Sequence, residues 1–172
     1  MERARPARRL LQKRADDFCG RPTVFIGSSK EGLNIAEALQ ANMDEYCEVT
    51  VWSQGAFGLG EGNLEALVRL KNEFDFAILI LTSDDLSISR GKRSHSPCDN
   101  VLFELGLFIG SLGRERTFAI YDRTAPMKLP SDLAGVSLVS YIPHSTGNLQ
   151  SALGGPCFRL KQAIKQLGPR FC

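Results

Sequence analysis

The run Phe74-Asp75-Phe76-Ala77-Ile78-Leu79-Ile80-Leu81 is apolar at every position but one. A strand-length segment without polar alternation has to bury both of its faces, which is the situation of an interior strand in a parallel sheet covered by helices on two sides. The flanking sequence supplies the other layers. Thr23 to Ile26 is a short β-rich run ending in Gly27, and Ser28-Ser29-Lys30-Glu31 reads as a capping box opening a helix with Ile35, Ala36, Leu39 and Met43 on one face. Glu48 to Trp52 is a second strand. The Gly-rich stretch Gly55 to Gly62 leads to Asn63, read as the N-cap of a helix carrying Leu64, Leu67 and Val68.

Beyond the apolar run, Thr82 to Ser96 is polar and reads as a long loop. Ser96 and Pro97 form a helix-start signal, with Asp99 adding negative charge to the first turn. Arg116 to Tyr121 and Val136 to Ile142 supply a fourth and a fifth strand, and Cys157 to Leu167 a closing helix that Gly168-Pro169 ends. Strands alternating with helices over short connections predict an α/β fold with a five-stranded parallel sheet, flavodoxin-like, in the order 2-1-3-4-5. Residues 21–168 form the expected domain and 169–172 a tail. Residues 1–20 gather Arg3, Arg5, Arg8, Arg9, Lys13 and Arg14 around Leu10 and Leu11, a solvated arm or, alternatively, an assembly or membrane-surface contact.

At 172 residues the chain suits one domain and is expected to leave no room for a second catalytic or sensor domain. A formal charge of +2, with 43% hydrophobic and 23% charged residues, argues against nucleic-acid binding by bulk electrostatics. The five cysteines lie at 19, 47, 98, 157 and 172 without a C-x-x-C pair, which fits reduced thiols better than a disulfide framework. With His95 and His144 the only histidines, no metal site is expected. No run reaches the length of a membrane span and the amino end has no apolar signal core, so a cytoplasmic protein is expected.

In an open parallel sheet the ligand crevice lies beyond the carboxyl ends of the strands, where strand order reverses. Here that selects the loops after strands one and three. The first offers Gly27, Ser28 and Ser29, whose N–H groups and hydroxyls can receive a phosphate or ribose or can simply cap a helix. The third offers Asp84 and Asp85, which also suit a turn. Within Asp99-Asn100-Val101-Leu102-Phe103-Glu104-Leu105-Gly106, one carboxylate stands in an apolar helical run. Glu104 is either a surface residue at the edge of an amphipathic helix or a buried group that needs a partner or a purpose. Asn100, four residues earlier, shares its face and can hold that carboxylate or remain solvated. Trp52 reads as core rather than ligand contact, and Glu115 and Arg116 as surface ion pairs. Gly58-x-Gly60-x-Gly62 lacks the Lys-Ser/Thr of a P-loop.

The stretch Asp99 to Gly110 with Leu112-Gly113-Arg114-Glu115-Arg116-Thr117-Phe118 resembles the signature of bacterial TIR-like domains in cyclic-nucleotide-triggered anti-phage effectors, the TIR-STING fusions and Pycsar TIR effectors. Val24-Phe25-Ile26-Gly27-Ser28-Ser29, Phe74 to Leu79 with Asp84-Asp85, and Leu129-Pro130-Ser131-Asp132-Leu133-Ala134-Gly135 agree in the same order. The resemblance covers roughly Arg21 to Leu167. It implies a flavodoxin-like TIR fold and an enzyme that cleaves the bond between nicotinamide and ribose in NAD+, with Glu104 as the catalytic carboxylate. NAD+ is then substrate, and no cofactor is implied. It further implies that Gly55 to Gly62 is the BB loop, a lid and self-association surface on which Phe57 either stacks against a base or anchors the loop. Gly27, Ser28, Ser29, Asp84 and Asn100 complete the expected substrate site. A cyclic-nucleotide sensor is expected as a separate protein or as the remainder of a longer effector. Cys98 departs from the pattern, because the family usually has Arg just before the Asp-Asn pair, with Arg90 or Arg93 as substitutes. A non-catalytic TIR adaptor and a nucleotide-binding or nucleoside-processing module are the competing expectations.

Overall fold

A computed structural model of the protein describes residues 20–54, 63–89, 92–128, 133 and 135–170. The loop Gly55 to Gly62, Phe57 within it, and the basic arm before Gly20 lie outside the described residues. Five strands form one parallel sheet: β1 Thr23–Ser28, β2 Glu48–Val51, β3 Phe76–Leu81, β6 Thr117–Asp122 and β7 Ser137–Tyr141, in the order β2-β1-β3-β6-β7. Counted along the sheet's own strands this is the expected 2-1-3-4-5. Among the described residues four helices accompany it, α1 Leu33–Met43, α2 Asn63–Leu70, α3 Asp99–Leu112 and α4 Leu149–Leu167.

Strand pleating sorts the core into two halves. Val24, Ile26, Phe76, Ile78, Ile80, Phe118 and Ile120 point to one face, where α1 and α4 cover them with Leu39, Met43, Leu153, Leu160 and Ile164. Phe25, Ala77, Leu79, Leu81 and Ala119 point to the other, under Leu67 and Leu70 of α2 and Val101, Leu105, Phe108 and Leu112 of α3. All six residues of β3 are buried, so the apolar run does what its composition demands.

Several boundaries differ from expectation, each for a physical reason. Thr82 to Ser96 is not a plain loop: β4 Asp85–Ser89 and β5 Lys92–Ser96 pair antiparallel as a separate hairpin, which Lys128 N–H ties down by donating to the carbonyl of His95 at 2.9 Å. Ser96 therefore ends a strand rather than capping a helix, and Cys98 is the N-cap residue of α3, without a side-chain cap. The capping box at Ser28 does not form, since α1 begins at Leu33. The closing helix starts eight residues earlier than expected, capped by Asn148, whose Oδ1 accepts from Ser151 N–H at 3.0 Å. Pro156 is tolerated inside it because Leu153, Pro156, Cys157, Leu160 and Ile164 make one continuous buried stripe. That burial offsets the roughly 3 kcal/mol that an interior proline costs. Gly168 ends α4 at φ +66°, as expected. Arg116 makes no surface pair with Glu115; it donates to the carbonyls of Gly168 at 2.7 Å and Leu167 at 3.2 Å, with its guanidinium 4.8 Å from the Phe76 ring centre.

Asp75 sits just before β3 and is 6% exposed. Its Oδ2 accepts from the N–H and hydroxyl of Thr23 at 2.9 and 3.0 Å, and its Oδ1 from the N–H of Arg170 at 2.6 Å. One carboxylate thus joins the start of β1 to the segment after α4. Charged acceptors make the stronger hydrogen bonds, and removing this one strands buried donors. Asp75→Ala is expected to lower unfolding free energy by about 3 kcal/mol, read as a fall in urea midpoint at unchanged m-value; a loss below about 1 kcal/mol would show the clamp to be dispensable.

Candidate active site

The carboxyl ends of β1, β2 and β3 meet the amino-terminal half of α3, and the chain is drawn in most tightly at Gly27. α3 lies on the sheet through its buried stripe, with the Phe108 ring stacked on Phe25 at 4.9 Å between centres and Phe25 tilted against Phe74 at 5.5 Å. One turn before Phe108, this seating carries Glu104 over β1. A Cβ built on Gly27 would lie 2.8 Å from Glu104 Oε2, 2.5 Å from Leu79 Cδ1 and 3.2 Å from Phe25 Cε1. Only glycine leaves room for the carboxylate there.

Glu104 Oε2 is buried and has no hydrogen-bond partner. Burial among apolar neighbours pushes its carboxyl up from the ordinary value of 4.5 to about 7. Asn100 lies one turn away, yet it does not satisfy that oxygen. Glu104 is also one of the residues lining a cleft of about 360 Å³, with Ser28, Ser29, Lys30, Glu31, Trp52, Cys98, Asn100 and Val101. A ligand in this cleft that brings positive charge and hydroxyl donors to the Glu104 carboxyl would favour its ionised form.

The sequence candidates divide in this setting. Ser28, Ser29, Asn100 and Glu104 line the cleft, and Gly27 lies outside its lining but against the Glu104 carboxylate. The Ser28 hydroxyl accepts from Trp52 Nε1 at 2.9 Å and donates to the carbonyl of Ser29 at 2.9 Å, so it braces rather than caps. Ser29 accepts from Gly32 N–H at 3.2 Å and donates to Asp84 Oδ2 at 2.5 Å. Asp84 does not line the cleft. Its Oδ2 is taken by the hydroxyls of Ser29 and Thr82, the latter also at 2.5 Å, and this strut ties the loop after β1 to the loop after β3. Phe57 and Arg90 lie outside the described residues. Arg93 sits exposed in β5 and is not part of the cleft wall, and among the described residues Lys30 is the cation that lines it. Trp52, expected in the core, packs against both halves of it and also lines the cleft, and Cys98 is a further wall residue. Among the described residues no group of three His, Cys, Asp or Glu side chains is arranged to hold a metal ion, and no helix is long and apolar enough to cross a membrane.

The sequence from Thr23 to Ile142, residues 23–142, matches the family model of the CAP12/Pycsar effector protein, TIR domain. The chain belongs to this TIR family. It is similar to the Pycsar effector protein PaPycTIR of Pseudomonas aeruginosa, 41% identical over 149 residues that cover 86% of this chain and 48% of that protein. It is similar also to CD-NTase-associated protein 12 of Flavobacterium daejeonense, 44% identical over 118 residues that cover 69% of this chain and 37% of that protein. The TIR chain thus spans about half the length, or less, of these relatives. The SEFIR domain of IL-17 receptor B shares the fold, with a TM-score of 0.52 at 14% identity over 83% of this chain and 96% of that one.

Glu104 makes the TIR domain's stability depend on pH with a definite sign. Its folded-state value lies above its unfolded one, so its favourable contribution is complete below about 4.5 and is lost as pH rises through about 7. Glu104→Gln removes the ionisable group and keeps the shape. The variant is expected to be more stable than the wild type by about 2 kcal/mol at pH 8 and nearly equal to it at pH 4.5. Denaturant midpoints at the two pH values check this, and a gap that does not depend on pH would refute it. Gly27→Ala is expected to lose about 1–3 kcal/mol by driving Glu104 or Leu79 off its rotamer, read as a lowered melting temperature.

Proposed function

We propose that this TIR domain hydrolyses NAD+ to nicotinamide and ADP-ribose, or a cyclic variant of it, and that it does so when copies associate, as an effector of bacterial anti-phage defence. The observation that carries the reading is the buried, unpartnered Oε2 of Glu104 over Gly27 at the edge of the cleft.

The chemistry asks for little else. Nicotinamide in NAD+ is a cationic pyridinium, so when the bond from its nitrogen to the ribose C1′ breaks, the electron pair stays on nitrogen and a neutral molecule leaves. No general acid is needed. The positive charge passes to the ribose as an oxocarbenium-like centre, which a carboxylate held nearby stabilises while accepting from ribose hydroxyls. Water then adds at C1′ and releases a proton to solvent, or a substrate nucleophile adds instead and closes a cyclic product. In the empty cleft Glu104 is half protonated near neutral pH, and the arriving cation supplies the countercharge that the protein withholds. A carboxyl raised by burial thus becomes ionised as substrate binds.

The effector role is supported by the relatives, which are named Pycsar effector and CD-NTase-associated proteins. We infer that a cyclic nucleotide is the trigger, sensed by a domain or protein outside this chain, and that Gly55 to Gly62 mediates self-association. One observation favours a silent adaptor: Cys98 occupies the wall position where an Arg is usual, leaving Lys30 to meet phosphate.

The test is nicotinamide release from NAD+ by purified protein, free in solution and crowded onto beads, with Glu104→Gln alongside. Release on crowding is expected, with the variant at least about 100-fold slower. Absence of release from folded, crowded wild type would refute the reading, and in that case Cys98→Arg tests whether the missing guanidinium is the cause.

A further inference from the structure

We propose that Trp52 receives the nicotinamide ring of the substrate, its indole face stacked on the pyridinium beside Glu104. The inference rests on the NAD+ hydrolase reading and adds a residue that determines which ring is held at the scissile bond.

The parallel register pairs Val24 with Val49 and Ile26 with Val51, residues that face α1 and α4. Trp52 N–H donates to the carbonyl of Ile26 at 2.9 Å, the bond that closes the Ile26–Val51 pair, so Trp52 stands directly after the last paired residue of β2. Gly27 alternates to the opposite face, the one on which Glu104 lies, and Trp52, in the turn after β2, packs against the core on both faces. Indole and carboxylate both line the same cleft.

The orientation of the indole is fixed as well. Its one polar atom, Nε1, is committed to the Ser28 hydroxyl at 2.9 Å, and that hydroxyl is committed in turn to the carbonyl of Ser29. With its donor spent, what Trp52 has left to offer the cleft is a π face. No other aromatic side chain lines the cleft among the described residues. The group to be held there is a flat ring that is cationic before the bond breaks and neutral afterwards, and an electron-rich indole attracts the first more than the second. The contact weakens as charge moves to the ribose, so it assists capture of substrate and departure of nicotinamide rather than the bond-breaking step. Its loss is then read in KM and not in kcat.

Trp52 is the chain's single tryptophan, so its emission reports this position alone. NAD+ is titrated into the Glu104→Gln protein, in the bead-crowded format if the wild type needs it for activity, with excitation at the red edge of indole absorption and binding followed in parallel by calorimetry. The expected result is a saturable quench whose midpoint coincides with binding, with little quench from ADP-ribose, which lacks the pyridinium. In the active protein, Trp52→Leu is expected to raise KM about tenfold with kcat held or increased, and Trp52→Phe, which keeps a ring, to fall between. NAD+ binding that leaves the emission unchanged would overturn the assignment, as would an equal quench by ADP-ribose. Because the titration leaves Trp52 in place, misfolding of the Leu variant cannot mask either result. If crowded wild type neither binds nor cleaves NAD+, the hydrolase reading fails and this assignment fails with it. Binding with a silent tryptophan removes Trp52 alone.

Discussion

The close approach of α3 to β1 is the contact on which the site depends. Phe108 stacked on Phe25 sets the height of the helix above the sheet, and at that height a side chain one turn earlier meets the strand where it has no Cβ to offer. Any residue larger than glycine at position 27 would lift the carboxylate or evict Leu79. Packing and chemistry are therefore one problem here. The apolar surroundings that seat the helix are those that desolvate Glu104 and leave its Oε2 unpartnered.

Such an arrangement trades stability for readiness. An ionised carboxyl without a partner works against the folded state, and nothing in the described wall answers it with a positive charge at hydrogen-bond distance. A fully satisfied Glu104 would make a steadier domain and a poorer acceptor for a ligand. The strut of Asp84 with Ser29 and Thr82, and the brace of Ser28 with Trp52, hold the surrounding loops without using the carboxylate, so it stays available.

Much of this was legible in the residues. The unbroken apolar run of β3 dictated a two-sided sheet, and the spacing of helices and strands dictated its order. An isolated Glu among Val, Leu and Phe marked the helix worth watching. What escaped the pattern did so for physical reasons. The β4–β5 hairpin is too polar to announce itself by hydrophobic period, and it is held by backbone pairing that sequence does not display. The closing helix was expected only from Cys157, because local propensity cannot see the buried stripe that carries it back through Pro156 to Leu149. Asp84 looked like a ligand contact, yet its partners lie 55 and 2 residues away and only the fold brings the first of them near. Trp52 read as core and does pack against it on both faces; that it also lines the cleft depends on its bond to Ser28 across the loops, which composition alone does not fix.

The clamp at Asp75 lies at the opposite edge of the sheet from the cleft, at the beginning of β1, where it also grips the backbone at Arg170. Both ends of the folded unit thus converge on one anchoring point. Tension or torque applied through the chain on either side would be carried between Thr23 and Arg170 and dissipated there, a full strand length from Gly27. A load between those two residues is taken up by a single carboxylate, at the far end of β1 from the glycine on which Glu104 rests.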